Sequence, residues 1–145
     1  MNYIIEEIDD LNLNDLSSDY GDNELNALTY VIIGIAMEVY NNLGKGFSEN
    51  VYKDCLCIEF VNKQISYIKE KKFDIIYKGI KIPHHYFADF IIDDKVVLEI
   101  KAHSLLIEDH TKQIINYLAV SKCKVGLIIN FGENSLKYKR VILTK

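Results

Sequence analysis

The chain of 145 residues has no apolar run that could cross a bilayer. Its longest, Tyr30 to Met37, is eight residues, against the roughly 20 that a spanning helix needs. Cysteine is scarce: Cys55, Cys57 and Cys123 make an odd count without a framework spacing, which excludes a disulfide-stapled secreted domain. Cys55 and Cys57 fall in a helical pattern, where residues two apart point roughly 200° apart, so they do not pinch zinc as a CxxC pair does. They read as reduced thiols of an intracellular protein, cytoplasmic or nuclear. Proline occurs once, at Pro83. No Lys or Arg occurs among the first 24 residues, the reverse of the basic start of a signal peptide.

Half of the chain is hydrophobic (49%) and a quarter charged (26%), the usage of one ordinary globular domain. The net charge of -4 points away from nucleic acid, but it is unevenly spread. Residues 1–24 carry eight acids and no base, while residues 25–145 hold 17 bases against 13 acids, a net of +4. Residues 1–23 read as an acidic, flexible arm and 24–145 as a single domain. The arm is either a nucleic-acid mimic folded over a basic site or a solubilising tail.

Two amphipathic helices open the domain. In Glu24–Leu43 the residues Leu25, Leu28, Ile32, Ile35, Val39 and Leu43 recur at three and four, and Gly44 ends the run. Ser48 caps the second helix, which runs to about Lys63 with Val51, Tyr52, Cys55, Leu56 and Phe60 inward. Strands are predicted at 67–77, 81–92, 96–101, 125–131 and 138–143, and a helix at 107–120. The order ααβββαββ gives an α/β domain with a central sheet covered by helices on both faces.

Chemistry concentrates in Ala88 to Lys101. Glu99 and Lys101, two apart on an apolar strand, project from one face, and charges there are costly unless paired or bound to a metal. Asp89 lies on the preceding strand. Two carboxylates can hold a hard divalent cation through oxygen, with an ammonium beside it to position water. A strict two-residue turn at Asp93-Asp94 gives facing residues an index sum of 187, which sends Asp89 and Glu99 to opposite faces. Their convergence requires an even sum such as 188, so the hairpin is predicted to contain a three-residue loop or a bulge. His84 and His85, as adjacent strand residues, face opposite sides and form no joint metal site.

Asp89 … Glu99-Ile100-Lys101 resembles the signature of the PD-(D/E)XK nuclease superfamily, with Ala88 at the often variable proline. Gly46-Phe-Ser-Glu49-Asn-Val-Tyr52 resembles the GxxExxY motif of the family of that name, and Gln113-Ile-Ile-Asn-Tyr117 the QxxxY helix motif of RecB-like members. The resemblance covers about residues 25–145. It implies a restriction-endonuclease-like core with a mixed central sheet, Mg²⁺ or Mn²⁺ as cofactor, and DNA or RNA as substrate. It also implies Asp89, Glu99, the Ile100 carbonyl and Glu49 as metal ligands, and Lys101 as the group that positions water. Gln113 and Tyr117 would orient Lys101 or contact a phosphate. Tyr52, one turn from Glu49, would support the site by packing or contact nucleic acid, and His110 and His103 are further candidate nucleic-acid contacts. Two other readings are a catalytically silent nucleic-acid-binding or adaptor module of the same fold, and a subunit active only as an oligomer such as a homodimer.

Overall fold

The computed structural model describes residues 2–8 and 23–144. The elements follow in the order β1 (Asn2–Ile8), α1 (Asn23–Leu43), α2 (Glu49–Asn62), β2 (Tyr67–Tyr77), β3 (Ile80–Ile92), β4 (Val96–Lys101), α3 (Glu108–Ser121), β5 (Val125–Asn130) and β6 (Lys137–Thr144). From α1 onward this is the order ααβββαββ. The six strands form one mixed sheet in the order β1-β6-β5-β4-β3-β2. Only β4 and β5 are parallel, and α3 is the crossover between them. The result is a restriction-endonuclease-like α/β core.

One element was not anticipated. Asn2–Ile8, which the sequence places in the acidic arm, form the edge strand β1, antiparallel to β6 from Asn2↔Thr144 to Ile8↔Tyr138. Glu6, Glu7 and the acidic residues that follow hide a strand whose pairing is supplied by β6, more than a hundred residues away. The rest of the acidic segment, 9–22, lies outside the described residues.

The central strands are buried on both faces, as continuous apolar runs require. All six residues of β5 are buried, and so are the first five of β4. On one face, Ile32, Ala36, Leu56 and Phe60 of α1 and α2 pack on Phe90, Leu98, Ile100, Leu127 and Ile129. On the other, Ile114, Tyr117 and Leu118 of α3 cover Val97, Ile128 and Val141. The alternation assigns Glu99 and Lys101 to the α3 face with Val97, while Leu98 and Ile100 face α1 and α2. Gly126 permits the close approach of α3. A Cβ there would lie 2.6 Å from Ile114 Cγ1.

The β3–β4 hairpin has the even register. Phe90↔Leu98, Ile91↔Val97 and Ile92↔Val96 each sum to 188, leaving the three-residue loop Asp93-Asp94-Lys95. Asp93 and Asp94 both adopt positive φ (51° and 56°), and Lys95 N donates to Ile92 O at 2.9 Å to close the loop. Asp tolerates the left-handed region better than most side chains, which suits this pair to the turn. Ser48 holds the N-cap position of α2 with extended backbone angles, but its hydroxyl makes no cap bond. Among the described residues the three cysteines are free thiols, and no helix is long and apolar enough to cross a membrane.

Candidate active site

Backbone pairing between β3 and β4 stops at Phe90↔Leu98. The next facing positions are Asp89 and Glu99, and there side chains replace the ladder. Asp89 N donates to Glu99 Oε1 at 2.9 Å, and Ile100 N donates to Asp89 Oδ2 at 2.8 Å. Each carboxylate therefore satisfies a backbone donor of the opposite strand, and the two acids are fixed in the fork where the strands part.

Glu99 is 3% exposed, and its carboxyl is pushed up to about 9 by burial first and the Asp89 charge second. Two acids this close in a dry setting do not both ionise without a cation between them. The donor set of the pair is all oxygen, which suits a hard divalent ion.

Lys101 ends β4 and is half-buried. Its Nζ donates to Gln113 Oε1 at 3.0 Å, and Gln113 Nε2 donates to the Tyr117 hydroxyl at 3.0 Å. Gln113 and Tyr117 are one turn apart on α3, so one helix face fixes the ammonium. Tyr117 is buried, and its phenol is pushed up to about 12 by burial and by the charge of Glu99. It stays protonated and reaches the site through Gln113. Of the two roles read for Tyr117, this position fits the orienting of Lys101 and sets aside the nucleic-acid contact, since a polymer has no access to the buried ring.

Tyr52 takes the packing role, and its burial sets aside the nucleic-acid contact. It is wholly buried, and its ring stacks on Phe131 with centroids 4.3 Å apart. Its hydroxyl donates to Gly44 O at 2.6 Å and accepts from Phe47 N at 3.3 Å. It pins the turn between α1 and α2, and so sets where Glu49 begins its helix.

Glu49 meets the chain just after β4. Its Oε2 accepts from Ala102 N at 3.3 Å and lies 3.6 Å from His103 Nε2. Among the described residues no three His, Cys, Asp or Glu side chains gather into a metal-holding group. Glu49 therefore does not join Asp89 and Glu99 as a third ligand in this arrangement, and instead holds the chain where it leaves β4. His103 is exposed, and its ring lies 4.7 Å from that of His110. His110 Nδ1 accepts from Ile107 N at 3.3 Å at the start of α3. Burial, and then the nearby charges of Lys101 and His103, hold its imidazole below the ordinary histidine range.

Two residues that sequence reasoning missed complete the site. Lys53 on α2 is 8% exposed, and its Nζ lies 2.8 Å from Asp89 Oδ1. Burial pulls its ammonium down, but the bond to Asp89 and the charges of Asp89, Glu70 and Glu49 outweigh that and leave it raised. The signal was its place four residues after Glu49, one turn further along the helix face. Asn130, fully buried at the end of β5, clamps the segment after Lys101. Its Oδ1 accepts from His103 N at 2.9 Å, and its Nδ2 donates to His103 O at 2.9 Å and to Glu133 Oε2 at 2.8 Å.

The mixed sheet, with α3 crossing from β4 to β5, places an Asp, a Glu and a Lys at the open end of its central hairpin. The chain belongs to the PD-(D/E)XK nuclease superfamily, whose family profile matches residues 26–141. No curated protein and no solved structure matches it.

Proposed function

We propose that this protein is a metal-dependent nuclease that hydrolyses phosphodiester bonds of DNA, and that it belongs to the GxxExxY branch of its superfamily. The observation that carries the reading is the reciprocal bonding of Asp89 and Glu99 in the β3–β4 fork, with Lys101 held beside them by Gln113. Asp89, Glu99 and the Ile100 carbonyl would hold Mg²⁺ or Mn²⁺. When bound, that ion would polarise the phosphate and acidify a water.

The chain's own groups do the rest. Lys101, immobilised by Gln113, orients the water and offsets negative charge developing on the phosphate. Tyr117 keeps Gln113 in the rotamer that presents Oε1 to Lys101. Glu49 and Asn130 fix the segment after β4, so the Lys101 backbone does not drift. The exposed His103 and the half-buried His110 lie along this segment, where a substrate strand would pass. A net charge of +4 over residues 25–145 favours a polyanion.

The test is a cleavage assay on end-labelled single- and double-stranded DNA and RNA, with Mg²⁺, Mn²⁺ or chelator. Cleavage of DNA that requires a divalent ion and disappears in Glu99→Ala and Lys101→Ala is expected. Cleavage unchanged in both variants, or none with any metal or substrate, overturns the reading.

A further inference from the structure

Both oxygens of Asp89 are engaged. Oδ2 accepts from the Ile100 backbone, and Oδ1 is held by Lys53 Nζ at 2.8 Å. Of these partners only Lys53 can leave without opening the strand. Its ammonium also has a second acceptor within reach, Glu70 Oε1 at 3.8 Å.

Glu70 occupies an unusual position. On β2 its neighbours pair regularly with β3, Lys69 with Phe90 and Lys71 with Ala88, but Glu70 itself, opposite Asp89, is left out of the ladder. Its φ is +54°, a left-handed backbone in the middle of a strand at a residue that is not glycine. Such a conformation is costly and persists where the surroundings impose it. Here it brings an otherwise solvated carboxylate, 55% exposed, next to a lysine whose side chain is only 10% exposed.

We propose that Lys53 is a built-in placeholder cation: it holds Asp89 while no divalent ion is bound, and passes to Glu70 when the ion takes Asp89. The inference rests on the metal-nuclease reading above and adds a positioning residue to it. Without Lys53, the Asp89 carboxylate would have only the Ile100 backbone donor for compensation beside Glu99. Lys53 supplies a positive charge and keeps Asp89 in its fork geometry. A divalent ion on Asp89 repels an ammonium so near, and Glu70 receives it after a short swing of a flexible stem. Lys53 therefore competes with the metal, and Glu70 relieves that competition.

Calorimetric titration of the full chain with Mn²⁺, alongside melting curves in chelator, tests this. Lys53→Gln should bind Mn²⁺ at least about fivefold tighter than wild type, and melt at a lower temperature in chelator. Lys53→Arg should return both values towards wild type. Glu70→Gln, on an exposed side chain, should bind Mn²⁺ more weakly and keep its melting temperature in chelator. Lys53→Gln that binds no more tightly than wild type, whatever its melting temperature, overturns the proposal. If that variant does not fold, unchanged affinity in Glu70→Gln overturns it. Asp89→Asn separates the two levels. If wild type binds Mn²⁺ no better than Asp89→Asn, the metal reading itself has failed, and the placeholder falls with it.

Discussion

Asp89 and Glu99 each accept a hydrogen bond from the backbone of the other's strand, at 2.9 Å to Glu99 Oε1 and 2.8 Å to Asp89 Oδ2. The acids thus act as the last rung of the β3–β4 ladder, and the site is built into the sheet rather than carried on a loop. Their positions are as rigid as the hairpin, which is what a site that must hold a small cation requires.

Rigidity extends to the lysine through α3. Gln113→Ala should leave Mn²⁺ affinity near wild type and slow cleavage by about 10- to 100-fold, the usual cost of losing an orienting partner. Single-turnover rates at saturating metal, set against calorimetric affinities, check this. A rate within twofold of wild type contradicts the role given to Gln113.

Tyr52→Phe keeps the stack on Phe131 but removes the hydroxyl that joins Gly44 O to Phe47 N. It should cost about 0.5–1.5 kcal/mol in urea denaturation, since two part-buried backbone groups lose a partner. Binding of a labelled oligonucleotide by the folded variant should match wild type. Weakened binding without loss of stability would return Tyr52 to the nucleic-acid surface.

Glu99 makes the metal-free protein pH-sensitive. Its folded carboxyl stands at about 9, against 4.5 as the ordinary value. The folded state therefore holds the extra proton. This stabilisation is complete below the ordinary value, and it is lost as pH rises towards and through the folded one. The melting temperature in chelator should fall across that window, and Glu99→Gln, always neutral, should flatten the fall. An identical slope in the variant removes Glu99 as its source.

Gly132 sits where a Cβ would collide with the backbone of His103. Gly132→Ala should destabilise the fold by about 1–3 kcal/mol, the usual range for overpacking. It should also slow cleavage, because the displaced segment follows Lys101 directly. Denaturation midpoints and rates measured on one preparation test both effects.

What the sequence made legible follows from how local each feature is. Periodicity set the limits of α1, α2, β2 and β4 to within a residue or so, because each carries its own apolar pattern and turn signals. The parity of Asp89 and Glu99 required an even register, and the loop Asp93-Asp94-Lys95 supplies it. Long-range features stayed hidden. β1 is a strand only because β6 offers an edge. Lys53 reads as a solvent-facing helix lysine until β3 brings Asp89 to it. Asn130 looks like the end of a strand until His103 folds against it. Tyr52 and Tyr117 carry motif positions that suggest contact with substrate, yet both are buried, and their hydroxyls organise the chain around the site.

The central claim is that Asp89 and Glu99 support metal-dependent phosphodiester hydrolysis. Single-turnover cleavage of labelled DNA by wild type and Asp89→Asn, both at saturating Mn²⁺ and with folding verified, tests it most directly. The account predicts that wild type cleaves and that the variant is slower by at least about 100-fold, the scale of losing a principal electrostatic group. Cleavage by Asp89→Asn within twofold of wild type would contradict it.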